Sequence, residues 1–281
     1  MKKVIMMLAV VAAFCGCERV VTDEGTAVEV VQVKRVKFDV SSEGWQVTRA
    51  LTADGYDMTD LWIFDYMDGG LVRTLHKTAT DVDFNEPTMP LAYGNHTVYF
   101  VASRGKSPTV TGTQIAWESP SDTFWKALTL TVGSGTALTV AVTLDRVVTK
   151  LRIAVADEVP ATIATLEMVP WQWWYGLDYL TGEAVASSDA VRQVTVPASM
   201  AGTTGQLVAG FYCLSDDAEW MTDITIRAKD GDGAVIGSVS LTDVPFVRNR
   251  LTDASGNLFA SQSGFSISLN DEWLDSYTLE W

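Results

Sequence analysis

Apolar and polar residues alternate with a period of two along most of this chain. Clear examples are the segments 128–132, 137–144 and 265–269, where Leu, Val, Ile or Phe at every second position is separated by Ala, Thr or Ser. Successive side chains of a strand point to opposite faces, so this pattern predicts half-buried antiparallel strands. No long window has the 3.6-residue period of an amphipathic helix. We therefore expect an all-β fold.

Glycine-containing turn signals separate the alternating segments, as they do where short strands are joined by hairpins. They are Asp54-Gly55, Asp68-Gly69-Gly70, Gly94-Asn95, Gly133-Ser134-Gly135 and Asp230-Gly231. Many short strands with regular turns predict antiparallel β-sandwiches. The alternation breaks at Asp145-Arg146 and a new strand starts near residue 150, so we predict one β-sandwich over 28–145 and a second over 146–281. The short connection predicts that the two domains abut.

The first sixteen residues have the features of a secretory signal peptide. A basic start at Lys2-Lys3 is followed by an apolar run over 4–14 and by small residues. The residues before Cys17 resemble a lipobox, in which cleavage leaves the cysteine first and acyl chains such as palmitate are attached to it. We therefore predict a lipidated Cys17 held at a bacterial membrane. The alternative is plain secretion after cleavage at another nearby site.

Residues 17–27 are polar and acidic, with no apolar period, and this composition predicts a spacer between the lipid and the first strand. Acidic residues directly after a lipidated cysteine resemble a signal for export to the cell surface. The predicted location is therefore the cell outer membrane, lipid-anchored and surface-exposed.

Composition and charge exclude some classes of partner. The chain has 281 residues, 47% of them hydrophobic and 20% charged, which is typical of a globular protein. Its formal net charge is −15, so it repels nucleic acid and acidic lipid headgroups. After loss of Cys15 and lipidation of Cys17, Cys213 is the one remaining thiol. No internal disulfide is expected, and Cys213 is predicted to be a small buried residue.

The sequence contains no pattern that predicts an enzyme or a metal site. Its two histidines, His76 and His96, lie on different predicted strands, and His96 is predicted at a hairpin edge after Gly94-Asn95. Asp230-Gly231-Asp232-Gly233 resembles a calcium loop but lacks the closing glutamate, and a hairpin turn explains it. Motifs for nucleophilic, zinc-dependent or phosphate-binding chemistry are absent from the sequence. We expect no catalysis, metal or cofactor.

One segment could bind a ligand through aromatic side chains. On a strand Trp171, Trp173 and Tyr175 would share one face, with Trp174 on the other. Exposed coplanar aromatic rings stack on sugar rings, so this segment is a possible glycan platform. The alternative is a core or domain-interface cluster, because aromatic side chains bury large areas.

Several short segments, taken in order, resemble the Bacteroidetes-type fimbrillin family, which comprises type V pilins and their lipoprotein anchors. The match is closest to the fimbrial anchor-like lipoproteins. The segments are the lipobox at Cys17, Thr48-Arg49-Ala50-Leu51, Leu61-Trp62-Ile63-Phe64-Asp65, Gly94-Asn95-His96, Leu144-Asp145-Arg146-Val147-Val148, Val244-Pro245 with Arg248-Asn249-Arg250, and Leu269-Asn270-Asp271-Glu272-Trp273.

The resemblance implies two tandem transthyretin-like β-sandwiches and export as a lipoprotein. It also implies joining to other fimbrillin subunits by strand exchange. In members that polymerise, an arginine-specific protease removes the first strand, at a position that corresponds here to Arg49-Ala50. The departing strand would be 28–40, in which Val28, Val30, Val36, Phe38 and Val40 fall on even numbers and Lys34 breaks the series. A partner strand would then fill the groove by β-augmentation.

Two functional hypotheses follow. The first is a non-enzymatic surface lipoprotein that serves in a fimbrium, as an anchor or assembly component. The absence of an obvious donor segment before Trp281 favours the anchor role over a shaft role. The second is a carbohydrate-binding surface lipoprotein that uses the aromatic platform.

Overall fold

The computed structural model describes residues 17–19, 32–42, 58–136, 139–216, 219–260, 264–270 and 279–280. Strands dominate this part of the chain, and its only helix is a single 3-10 turn at Ala198–Met200. The N-terminal strands are β1 (Cys17–Arg19), β2 (Gln32–Ser42), β3 (Asp60–Met67), β4 (Gly70–Thr78), β5 (Thr88–Ala92), β6 (Gly94–Ser103), β7 (Thr109–Thr111), β8 (Gln114–Ala116), β9 (Thr123–Val132) and β10 (Thr139–Arg146).

The remaining strands follow after the single residue Val147. They are β11 (Val148–Val155), β12 (Ile163–Pro170), β13 (Trp173–Asp178), β14 (Glu183–Ser188), β15 (Arg192–Thr195), β16 (Leu207–Leu214), β17 (Trp220–Asp230), β18 (Val235–Phe246), β19 (Leu251–Asn257), β20 (Gly264–Asn270) and β21 (Leu279–Glu280). The all-β prediction is thus confirmed over the described residues. Within them, no helix is long and apolar enough to cross a membrane.

The N-terminal half forms one eight-stranded sheet, in the order β1-β2-β10-β9-β6-β3-β4, with β5 also paired to β2. The Phe38 ring of β2 lies edge-on to the Phe100 ring of β6, with centroids 5.1 Å apart. These strands are three positions apart in the sheet, and neighbouring strands are spaced by about 4.8 Å, so a flat sheet would separate them much further. The sheet therefore curls over and encloses its own core of apolar side chains.

The C-terminal half forms two sheets that share one core. Their orders are β20-β19-β11-β16-β21 and β15-β12-β17-β18. Inward side chains from both sheets, among them Leu151, Phe211, Leu166, Ile226 and Phe246, belong to a single buried cluster. This arrangement follows from the alternation in the sequence, since each strand presents one apolar face.

The sheets are mixed rather than purely antiparallel, which corrects the prediction. Parallel pairs join β2 to β10, β11 to β19, and β16 to β21. About a hundred residues separate β2 from β10 and β11 from β19. Parallel pairing needs a long crossover connection, and such separations supply one. The hydrophobic pattern alone does not distinguish the two pairings.

A third cluster joins the two halves. It combines Trp62 and Phe64 of β3 with Trp117, Tyr179 and Tyr212. The rings of Phe64 and Tyr179 stack with centroids 3.7 Å apart. The β7–β8 hairpin also adds to β13 and β14 in a four-stranded sheet that crosses the predicted boundary at 145–146. The two halves are therefore in direct contact through a shared apolar core and shared backbone hydrogen bonds.

Replacing Tyr179 is expected to test this junction. Tyr179→Ala removes the stacked ring and should lower the free energy of unfolding by about 3–5 kcal/mol, as large-to-small core changes do. Tyr179→Phe keeps the ring and loses only the hydroxyl contacts to Tyr66 and Gly112, so about 1 kcal/mol is expected. Urea unfolding monitored by fluorescence measures the free energy of unfolding of both variants. Equal losses for the two variants would contradict the role of ring stacking.

Candidate functional site

The candidate functional site is the groove that β2 fills. Lys37 of β2 pairs with Thr88 of β5 and also with Thr139 of β10, so β5 and β10 lie on opposite edges of the strand. The edge of β2 that faces β5 stays hydrogen-bonded beyond the start of β5. There the Phe38 and Val40 amides donate to the carbonyls of Pro87 and Asn85 at 2.9 and 3.0 Å. Without β2, both neighbouring edges would present unpaired backbone groups.

The inward face of β2 supplies three anchors to the N-terminal core. Val36, Phe38 and Val40 are all 0% exposed. Burying each such side chain is worth about 1.5–3 kcal/mol relative to leaving it in water. The predicted even-numbered apolar face is confirmed for these residues. The described strand covers Gln32–Ser42, two residues past the predicted end at Val40, and residues 28–31 of the predicted strand lie outside the described part of the chain.

Lys34 occupies the next inward position, and the structure explains why a lysine stands there. It is only 9% exposed, and its Nζ donates to the carbonyl oxygens of Ser134 and Thr136. Those carbonyls belong to the turn between β9 and β10. The long apolar stem of Lys34 continues the buried face while its ammonium group reaches polar partners at the rim. Sequence reasoning treated Lys34 as a break in the pattern and missed this role.

The predicted lipidation site lies at the start of β1, and the predicted processing site lies between β2 and β3. Residues 1–16, Arg49 and Ala50 lie outside the described residues. Cys17 is described only as backbone, in β1, which pairs antiparallel with Gln32–Lys34 of β2. The start of the predicted spacer is thus a short strand beside β2.

The predicted aromatic platform is wrong. Trp173 is 0% exposed and lies in the C-terminal core, where its ring contacts Phe246 edge-on at 5.4 Å and its Nε1 donates to the Tyr212 carbonyl. Trp171 precedes the strand and is 81% exposed, whereas Tyr175 is half-buried. β13 begins at Trp173, so the three residues do not form one exposed face. The core alternative holds for Trp173, because its ring fills the space between two sheets.

The prediction of His96 at a hairpin edge is also wrong. His96 lies in β6 between β3 and β9 and is 1% exposed. Its Nδ1 lies 2.6 Å from Oδ1 of Asp65, itself buried, and its Nε2 lies 2.9 Å from the Ala92 carbonyl oxygen. A carbonyl only accepts, so Nε2 donates. The pair is a buried, mutually satisfied polar contact that the sequence pattern did not reveal.

Breaking this pair is expected to be costly. His96→Leu leaves Asp65 buried without its partner and should lower the free energy of unfolding by about 3–5 kcal/mol. The double variant His96→Leu with Asp65→Leu should recover a large part of that loss, because no polar side chain is then left buried without its partner. Chemical denaturation of His96→Leu, Asp65→Leu and the double variant measures their free energies of unfolding. A double variant as unstable as the sum of both single variants would contradict the pairing.

The calcium-like motif at Asp230-Gly231-Asp232-Gly233 has a structural explanation. Asp230 closes the β17–β18 turn by accepting hydrogen bonds from the amides of Asp232 and Ala234, which accounts for the calcium-like motif. Among the described residues, no group of three or more His, Cys, Asp or Glu side chains could hold a metal ion.

Cys213 is fully buried, as predicted. Its Sγ accepts a hydrogen bond from the Trp174 amide at 3.2 Å. Burial raises the pKa of the Cys213 thiol, so the reactive thiolate is disfavoured. This residue packs the C-terminal core and offers no nucleophile.

Two sequence landmarks, about a hundred residues apart, meet at the junction of the halves. Arg146 makes a two-point ion pair with Asp122 at 2.7 and 2.9 Å and donates to Asn249. The Asn249 amide donates to the Val148 carbonyl. Arg248 donates to the carbonyls of Ser215 and Gly182. Arg146 therefore joins a loop of the N-terminal half to one of the C-terminal half, whereas Arg248 joins loops within the C-terminal half.

Comparison with known families assigns most of the chain. Residues 109–280 match a family of unknown function, DUF6562. The chain belongs to this family. The DUF6562 match begins at β7, the first strand of the hairpin that adds to β13 and β14, and extends through the C-terminal sheets. The match also includes β9 and β10 of the N-terminal sheet. No curated protein matches the chain.

Several solved structures share the fold. A candidate polysaccharide-binding protein from Bacteroides thetaiotaomicron has a TM-score of 0.55 at 8% identity, covering 84% of this chain and 96% of that one. A candidate adhesin from Bacteroides ovatus has a TM-score of 0.51 at 15% identity, covering 74% and 82%. A candidate adhesin from Bacteroides thetaiotaomicron has a TM-score of 0.50 at 12% identity, covering 84% and 95%. These relatives agree with the fimbrillin-like resemblance at the level of the fold.

The contribution of β2 can be measured directly. Phe38→Ala empties an inward pocket beside Phe100 and should lower the free energy of unfolding by about 3–5 kcal/mol. Asp39→Ala, on the exposed face of the same strand, is the matched control and should change it by less than about 0.5 kcal/mol. Thermal and urea unfolding of both variants measure the contrast. A Phe38 variant as stable as its control would mean that β2 is not seated in the core.

Proposed function

We propose that this chain is a non-enzymatic cell-surface lipoprotein that serves as a subunit of a fimbrium, as an anchor or assembly component. The proposal is based on one observation: β2 fills a groove between β5 and β10 and buries three side chains completely. Such a groove is what β-augmentation requires, since a donor gains backbone hydrogen bonds at its edges and pockets for alternate side chains.

The remaining parts of the proposal concern anchoring and architecture. Lipidation of Cys17 would hold the chain at the outer membrane, with residues up to Ala27 as the link to the fold. Two tandem transthyretin-like sandwiches, over 28–145 and 146–281, fit the separate N-terminal and C-terminal cores. The shared fold with candidate adhesins supports a role at the cell surface.

Strand exchange would begin with the loss of β2 from its groove. Cleavage at Arg49-Ala50 would separate β2 from β3 and everything that follows. The edges of β5 and β10 would then be free, and a strand from another fimbrial subunit would enter. An uncut chain would keep its lipid, as an anchor must, and its β2 would have to leave the groove while still attached before a partner strand could enter.

A disulfide that locks β2 in place tests this proposal. Val36 and Met89 are direct partners in the β2–β5 pair, so Val36→Cys with Met89→Cys should tie the strand to its neighbour. In cells that form fimbriae, the oxidised double variant should abolish incorporation of the chain, and reductant should restore it. Immunoblotting of sheared fimbriae measures incorporation.

The matched control places the same crosslink elsewhere in the sheet. Val98 and Leu128 are direct partners in the β6–β9 pair, and neither strand is hydrogen-bonded to β2. Val98→Cys with Leu128→Cys should leave incorporation unchanged. Normal incorporation with β2 locked would refute strand exchange at this groove. Mass spectrometry of the surface protein adds a second readout, since an unmodified Cys17 on a freely diffusing monomer would refute the anchor.

A further inference from the structure

We propose that the β2 groove selects a basic donor strand, with a lysine or arginine at the position of Lys34 followed by apolar residues at every second position. This inference rests on the proposed function and names the partner of the same groove. It begins from the ammonium group of Lys34, which bonds the carbonyls of Ser134 and Thr136 at the rim of the groove.

The turn that receives this ammonium group is held by its own hydrogen bonds. The Thr136 hydroxyl donates to the Thr131 carbonyl at 3.0 Å and accepts from the Gly133 amide at 2.6 Å. The Thr136 amide donates to the Gly133 carbonyl at 3.1 Å. None of these contacts involves β2, so the carbonyls keep their orientation when the strand leaves. The end of the empty groove is therefore a prearranged acceptor for a cation.

Charge favours the same kind of donor. Residues 32–42 contain three basic side chains and one acidic, a net of +2, within a chain of 20 basic and 35 acidic residues. The rest of the chain then carries 17 basic and 34 acidic residues, a net of −17. Lys37 also pairs with Glu86 beside the groove at 2.7 Å. Long-range attraction would speed the encounter with a basic strand and oppose an acidic one.

The residue at the Lys34 position should affect the affinity of a donor strand for the groove more strongly than the overall charge of that strand does. An apolar residue there would leave the turn carbonyls without the cation that now bonds them, and bonds to charged donors are among the stronger ones. The Lys37–Glu86 pair is exposed, with side chains 37% and 58% accessible, and such pairs contribute little. Removing Lys34 or Lys37 changes the net charge of the strand by the same amount. Comparing the two changes therefore distinguishes a specific contact at Lys34 from a general electrostatic attraction.

The experiment uses the complete chain, nicked at a site-specific protease sequence inserted between Arg49 and Ala50. The released β2 segment is removed in denaturant, and the remainder is refolded with fluorescent peptides of residues 32–42. We expect the native peptide and its Lys34→Arg form to bind within about threefold of each other. The Lys34→Met peptide should bind at least about tenfold more weakly, and the Lys37→Met peptide less than about threefold more weakly.

The outcomes separate this inference from the function on which it rests. Equal binding of the Lys34→Met and Lys37→Met peptides would overturn the selection at Lys34 and leave the groove as an acceptor. If no peptide binds, the native one included, the groove is not an acceptor and the proposed function fails with it. Hydrogen exchange of β2 in the intact chain is a second measurement: Lys34→Met should raise it about tenfold, and Lys37→Met should not.

Discussion

A strand inside a sheet must have both of its edges paired, and this requirement governs the N-terminal half of the protein. β2 pairs with β5 along one edge and with β10 along the other, although β2 and β10 are far apart in the sequence. Its three inward side chains close the core at the same time. Backbone pairing and apolar burial therefore depend on one segment, which makes that segment both structurally necessary and suited to replacement by a similar strand.

The junction between the halves depends on the same physics at another place. The β7–β8 hairpin leaves the N-terminal sheet and pairs with β13, so backbone hydrogen bonds cross between the halves. Stacked aromatic rings of Phe64 and Tyr179 fill the space beneath. Burial raises the pKa of the Tyr179 phenol, which keeps this ring neutral inside the contact. A stress applied to one half would thus reach the other through a packed interface rather than a loose linker.

Three polar groups inside the described part of the fold have specific partners. Lys34 donates to carbonyls of the β9–β10 turn, and His96 is hydrogen-bonded to Asp65 and to the Ala92 carbonyl. Arg146 forms an ion pair with Asp122. Buried polar groups without partners are costly, so each contact specifies one register of its strand. A shift of β2 by one residue would expose its apolar face and withdraw the ammonium group from the turn.

The sequence by itself determined the all-β class, the strand periodicity, the inward face of β2 and the burial of Cys213, because these follow from local alternation and composition. It did not determine which strands are parallel, that His96 is central, that Trp173 lies in the core, or that Lys34 bonds a turn a hundred residues away. Those features depend on which distant segments become neighbours. Period-two alternation says which side chains share a face, and only the tertiary structure decides what that face meets.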